Sequence, residues 1–323
     1  MYNNENYRAF VKQHEDLPIF FQDWWMDAVC GKENWRGFVI KSGNFVKAIC
    51  PLKVQKRKFG RIHYTMPRFT PYNGIYYNYP PEQKYCTKLA YEKDVINELL
   101  EQIGAFDYYF QKFMSSFTNW LPFYWNNFKQ TTVYTYKIHG LQDFDSIFNN
   151  FQENIRREIR KAEKLGIKIK DYENIELIYR IAKKTFIRQD KELGYSLHDL
   201  KQIDDACKQK DCRKILFAED NKGNIHCAIY LVWDKHTMYY LLGGGDPCLR
   251  TSGATSLLIY ESIKFASTKV DCFDFEGSII ESIERFFRGF NAKQYPVMCI
   301  SKKSKKEERV QRLINIISHI KKW

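Results

Sequence analysis

Between residues 239 and 260 the chain reads YYLLGGGDPCLRTSGATSLLIY, and this stretch limits the possible folds more than any other. An apolar strand, Tyr239 to Leu242, runs into Gly243, Gly244 and Gly245. A short loop carrying Arg250 and Gly253 follows, and a largely apolar helix opens at Ala254. A strand, a glycine-rich loop and a helix start in that order build an anion site. First-turn N–H groups point outward there, and glycines permit close approach. No Gly-Lys-Ser/Thr closes the loop as in a phosphate-binding P-loop, and the glycines do not have dinucleotide GxGxxG spacing. A tight turn before a well-capped helix is the competing explanation.

The flanking elements extend the pattern. Lys214 to Ala218 and Ile225 to Trp233 read as a hairpin around the turn Asp220-Asn221-Lys222-Gly223-Asn224. After the helix comes a second strand, Cys272 to Glu276, stopped by Gly277. A helical stretch begins near Ser278, and Gln294 to Ile300 forms a third strand. The order is hairpin, strand, glycine loop, helix, strand, helix, strand.

A similar series precedes residue 140. Trp35 to Ile40 and Val46 to Val54 read as hairpin strands around Lys41 to Asn44, followed by a loop rich in Pro and Tyr from Pro67 to Pro81. A helix is expected over Ala90 to Ile103, with Val95, Ile96, Leu99, Leu100 and Ile103 on one face and Gly104 as its stop. Phe106 to Phe110 reads as a strand, Asn119 to Asn127 as a short helix and Thr131 to Ile138 as a closing strand. The repeated order implies an internal duplication. Between the halves, Ser146 to Leu165 is expected to be one helix stopped by Gly166. Arg156, Arg160 and Lys164 recur every fourth residue on its face. They are either solvated or line an anion-binding groove between the halves.

Several classes drop out on composition. The 323 residues are 44% hydrophobic and 16% aromatic, enough for two packed domains and too apolar for a disordered chain. No apolar run reaches the roughly 18 residues of a membrane span, and the polar opening MYNNENYRAF does not read as a signal peptide. Nine cysteines with no CxxC pair argue for reduced thiols and against a metal site. A cytoplasmic location is expected, with a peripheral position at the inner face of a membrane as the alternative. The net charge of +13 asks for an anionic partner or simply solubilises the surface.

The order of elements resembles the GNAT (N-acetyltransferase) fold, an α/β architecture with a mixed central sheet flanked by helices. In that family the loop after the fourth strand, Q/R-x-x-G-x-G/A, binds the pyrophosphate of an acyl-coenzyme A. Arg250-Thr251-Ser252-Gly253-Ala254-Thr255 matches it in the first four positions and departs in the sixth. Two such halves joined through Asn154-Ile155-Arg156-Arg157-Glu158-Ile159-Arg160-Lys161-Ala162-Glu163-Lys164-Leu165-Gly166 resemble the FemAB-like transferases. Trp24-Trp25, the TPYNG loop from Thr70 to Gly74 and FDFEGS from Phe273 to Ser278 fit the same group. The resemblance runs from about residue 18 to 300. It implies a tandem GNAT-like protein: an acceptor half over 1–140, a basic connecting helix over 141–166, a donor-binding half over 167–301 and a basic amphipathic helix over 302–323. Fem enzymes that use aminoacyl-tRNA carry F-K-x-x-F-G in the closing helix. This chain has Phe287 in place of that lysine, which weighs against the tRNA donor.

The implied activity is transfer of an acyl group from acyl-CoA, such as acetyl-CoA, to an amine of a sugar or cell-envelope precursor, without a metal. The alternatives are aminoacyl-tRNA-dependent transfer to a peptidoglycan precursor, with tRNA as partner, and a non-catalytic module for an anion or RNA. Attack of an amine on a thioester needs a base, donors for the oxyanion and a held donor. Glu276 is the first candidate base. Asp274, two residues earlier and so expected on the same strand face, is base or anchor. Either carboxylate could instead cap the next helix or pair with Arg285 or Arg288. Tyr240 is an outside candidate for general acid.

Amides near Leu242, Gly243 and Gly244 would polarise the carbonyl, and Arg250, Ser252, Gly253, Ala254 and Thr255 would hold pyrophosphate. Arg156, Arg160, Tyr72, Arg285 and Arg288 are the candidate acceptor-side residues, with Trp24, Trp25 and Tyr76 as further aromatics that are either pocket or core. His226 and His236 read as surface or structural, and Asp246 as ordering its loop. The tail, with Lys302, Lys303, Lys305 and Lys306 before Val310, Leu313, Ile314 and Ile317, could pack on the body or lie on an anionic membrane.

Overall fold

The computed structural model describes residues 4–320, and side chains as far as residue 314. The side chain of Ile317 and residues Lys321, Lys322 and Trp323 lie outside the described residues. In chain order the elements are α1 (Glu5–Gln13), α2 (Asp23–Cys30), β1 (Trp35–Ser42), β2 (Phe45–Arg57), β3 (Arg61–Thr65), β4 (Tyr76–Tyr77), α3 (Tyr85–Ile103), β5 (Tyr108–Lys112), α4 (Leu121–Trp125) and β6 (Lys129–His139). They continue as α5 (Phe144–Asn149), α6 (Glu153–Lys164), β7 (Lys168–Asp171), α7 (Ile175–Arg188), α8 (Leu197–Gln209), β8 (Arg213–Glu219), β9 (Ile225–Trp233) and β10 (Thr237–Gly245). The last are α9 (Ala254–Ser267), β11 (Cys272–Asp274), α10 (Glu281–Arg288), β12 (Lys293–Lys303) and α11 (Lys305–Ile320). The fold is mixed α/β, with GNAT-like order in each half.

Two compact units emerge. The first comprises residues 1–14, 20–133 and 296–323; the second comprises 15–19 and 134–295. In the first, β1, β2, β3, β5 and β12 lie side by side, with β4 added to β2. Apolar residues on alternate sheet positions, among them Phe38, Ile40, Cys50 and Leu52, meet Val95, Ile96 and Leu99 of α3 in one core. Helix α11 docks onto this unit through Glu307, 8% exposed, which pairs with Arg61 at 2.6 Å and His63 at 3.0 Å.

The second unit orders its strands β6-β11-β10-β9-β8-β7. Strands β8 and β9 form the expected hairpin, with Gly223 at φ +80° and Asp220 accepting the amides of Lys222 and Asn224. Helix α9 links β10 to its parallel neighbour β11 and buries Leu257, Leu258, Ile259 and Ile263. Each such side chain contributes roughly 2 kcal/mol.

The single helix expected over Ser146–Leu165 is broken. Asn150 folds its side chain back onto the Ser146 carbonyl, and Phe151 turns into the core. The amide of Gln152 donates to Gly289 instead of continuing the helix. A new helix, α6, then starts from an extended Gln152 and buries Ile155, Ile159 and Ala162. It ends at Gly166 (φ +72°) with the Ile167 amide closing on the Ala162 carbonyl.

Candidate active site

The site begins where two parallel strands part. β10 pairs with β11 from Thr237 to Tyr239, opposite Cys272 to Asp274, and no further. On its other side β10 stays hydrogen-bonded to β9 through Gly245. Between Tyr240 and Leu242 the register slips, so Leu241 is an extra residue bulging out of the strand. A bulge raises the local twist and swings the strand end outward. Beyond Tyr239 one edge of β10 therefore carries backbone groups that β11 does not take.

The three glycines serve this geometry mainly through their own chain. A Cβ on Gly243 would lie 2.4 Å from the Tyr240 hydroxyl, and one on Gly244 would lie 2.8 Å from Thr185 Oγ1 and 2.9 Å from Ile181 O of α7. Thr185 fixes the strand end, accepting the Gly245 amide at 2.9 Å and donating to the Gly245 carbonyl at 3.2 Å. Nothing in the sequence around Thr185 signalled this clamp.

Opposite, the FDFEGS segment turns sharply. Asp274 is wholly buried. It accepts the Thr135 hydroxyl at 2.5 Å and the Glu276 amide at 2.8 Å, and faces Lys137 Nζ at 3.3 Å. Phe275 donates its amide to the Tyr136 carbonyl. Glu276 then takes φ +58° and Gly277 φ +68°. The alternation that would put Asp274 and Glu276 on one strand face thus fails, because β11 ends at Asp274 and Glu276 is left-handed. A Cβ on Gly277 would lie 1.9 Å from the Tyr134 carbonyl, so only glycine fits. Asp274 is the anchor, and Glu276, partly buried, is the carboxylate it positions.

Tyr240 sits between these parts. Its ring meets Phe287 at 6.1 Å, and Phe287 in turn packs on Phe275 at 4.8 Å. Burial, then the nearby Cys227, Glu276 and Tyr195, push the Tyr240 phenol well above its ordinary range. Tyr240 therefore holds its proton at neutral pH, as a general acid must. Tyr195, in the connection between α7 and α8, is a neighbour that sequence spacing could not reveal. Burial likewise pushes the Cys227 thiol up to about 12, which keeps it a neutral packing group.

The loop from Asp246 to Gly253 is a 3₁₀ turn over Pro247–Ser252. Asp246 caps it by accepting the Cys248 amide and pairs with Lys184 at 2.6 Å. Ser252 is buried; its hydroxyl donates to the Leu249 carbonyl, accepts the Ala254 amide at 3.3 Å and lies 2.8 Å from His226 Nδ1. Ser252 and Ala254 are therefore committed to the turn itself, and His226 is structural. Gly253 (φ +78°) lies under α6, where an added Cβ would come within 2.2 Å of the Glu158 carbonyl. Arg250 in the turn and Thr255 in the first turn of α9 are exposed.

The basic residues divide. Arg156 donates to the Asn149 carbonyl and closes α5. Arg288 pairs with Glu284 at 3.1 Å, whereas Arg160 and Arg285 are exposed. In the first unit Tyr72 is 2% exposed and packs edge-to-face on Phe20, and Trp25 is fully buried with its indole N–H on Thr70. Tyr72 is thus a core residue instead of a pocket wall. No group of three or more potential metal ligands occurs among the described residues.

The strand, turn and helix that carry these groups follow the order of a GNAT-like fold. Residues 149–286 match the family described as Acetyltransferase (GNAT) domain, which supports an acyltransferase. Among solved structures it is similar to FemX, with a TM-score of 0.69 and 15% identity over 97% of this chain and 98% of that one. The C-terminal domain of a putative lysylphosphatidylglycerol synthetase from Agrobacterium fabrum gives 0.57 at 9% identity, covering 97% and 96%. A tandem GNAT protein from the clavulanic acid biosynthesis pathway gives 0.52 at 8%, covering 83% and 82%. At these identities the likeness is one of fold. No curated protein matches the sequence significantly.

Proposed function

We propose that the protein transfers an acyl group from a coenzyme A thioester to an amine of a sugar or envelope precursor. The observation that carries this reading is the edge of β10 left open past Tyr239, which leads to the turn bearing Arg250 and on to Thr255 at the start of α9. An extended amide-bearing donor arm can hydrogen-bond along such an edge, with its phosphates against Arg250 and the Thr255 amide. The amine nitrogen attacks the thioester carbonyl carbon as Glu276 takes its proton. The carbon–sulfur bond then breaks, and the departing thiolate takes the proton of Tyr240. Both side chains recover their protonation from solvent.

A second reading, aminoacyl-tRNA as donor, is favoured by the likeness to FemX over nearly the whole chain and by the exposed Arg157, Arg160 and Lys164 of α6. Against it stands Phe287, buried against Tyr240 and Phe275, which offers no charge or hydrogen bond. Titration with acetyl-CoA and, in parallel, with charged tRNA separates the two. Micromolar binding of acetyl-CoA that is lost in Arg250→Glu supports the thioester donor. Binding of charged tRNA alone overturns it.

A further inference from the structure

The first unit carries a surface that the chemistry above does not use. Strand β2 ends in Lys56 and Arg57, and the turn to β3 begins at Lys58 and places Phe59 at its tip. Phe59 is 82% exposed and has φ +63°, followed by Gly60 at φ +66°. A left-handed conformation suits Asn or Gly and is costly for a bulky aromatic residue. Neither burial nor turn preference accounts for a phenylalanine there.

The groups around it are of one kind. Lys306 donates to the Phe59 carbonyl at 3.1 Å and brings the start of α11 beside the tip, with Lys303 and Lys305 exposed nearby. Strand pairing sets His63 beside Tyr108, and Tyr108 beside Lys303, so the start of β5 and the end of β12 share this end of the sheet. Lys302 reaches on to the Asn126 carbonyl at 2.8 Å, immediately after α4. That helix exposes Leu121, Tyr124 and Trp125 at 48%, 57% and 60%. The acidic groups here are mostly spent inward: Asp107 accepts from the Ile62 amide and Ser304, and Glu307 from Arg61 and His63. Glu308 alone of these is exposed.

We propose that this end of the first unit docks on an anionic phospholipid bilayer. Lysines and arginines would meet the headgroup charge while Phe59, Trp125 and Tyr124 enter the interfacial layer. Aromatic residues projecting from a basic ring match that boundary better than a folded protein surface, which would need a complementary concavity. RNA shares the charge preference but does not call for an isolated apolar tip. The inference does not depend on which donor the second unit takes.

The test is co-sedimentation of the full chain with phosphatidylcholine vesicles, with and without phosphatidylglycerol. Binding is expected on the anionic vesicles only and should fade with salt. Phe59→Gly, which suits the left-handed turn and so preserves the fold, should weaken partitioning about tenfold. Lys58→Gln and Lys303→Gln should each cost about fivefold. Circular dichroism melts confirm that each variant is folded. Absence of binding to anionic vesicles overturns the proposal, as does equal binding by Phe59→Gly. Retention of RNA by the same surface with no vesicle binding overturns it in favour of a nucleic-acid partner.

Discussion

Asp274 holds Glu276 through the backbone: a fully buried carboxylate oxygen accepts the Glu276 amide at 2.8 Å and fixes the turn that ends β11. The two carboxylates therefore fail differently when altered. Glu276→Gln should lower kcat by at least about 100-fold, as for loss of a general base, with an unchanged melting curve. Asp274→Asn leaves Lys137 facing a neutral partner in a buried place and should cost about 3 kcal/mol in urea unfolding. Equal stability of the two variants would contradict the assignment of anchor and base.

Tyr240→Phe removes the candidate proton donor and keeps the ring packed on Phe287. Turnover should fall about 100-fold while acetyl-CoA affinity stays within about twofold. Because burial raises this phenol above its ordinary value of 10.0, it remains protonated up to and beyond pH 10. The wild-type pH–rate profile should accordingly show no loss of activity from this group as pH rises through 9.

Gly253→Ala tests the packing of α6 on the turn. A methyl group would meet the Glu158 carbonyl at 2.2 Å in a backbone with φ +78°, so neither neighbour can yield easily. A loss of about 2–4 kcal/mol is expected from the strain and the clash together, read from chemical denaturation.

Glu307 provides the pH-dependent tie of α11. Burial alone would raise its carboxyl, but hydrogen bonds from Arg61 and His63 outweigh it and hold the group below its ordinary value of 4.5. A carboxylate whose folded value is depressed stabilises the protein above the unfolded value and loses that contribution as pH falls through the folded one. Thermal melts should therefore drop between pH 5 and the acid range. Glu307→Gln should flatten that drop, at a cost near 3 kcal/mol at neutral pH.

What the sequence displayed was local chemistry. The Asp220–Asn224 turn, the helix start after Gly253 and the stop at Gly166 each rest on residues within a few positions of one another. Their turn and cap preferences could be read directly. Helices α7 and α8 carry the same kind of local signal, with Asn174 and Ser196 as their caps, the latter in a reciprocal box with Asp199. The features that make the site are long-range. The turn at Glu276 exists because Gly277 must pass the Tyr134 carbonyl and because Asp274 is tied to Thr135, 139 residues away. The Leu241 bulge shows only in the pairing of β10 with β9. The break before α6 likewise depends on the distant Gly289 carbonyl.

Amide hydrogen exchange with and without saturating acetyl-CoA tests the central claim most directly. If the donor lies along the open edge of β10, exchange should slow at residues 241–244 and at the Thr255 amide. The β8–β9 hairpin should stay unchanged. Protection confined to other segments, or none at all, would contradict the placement of the donor at this edge.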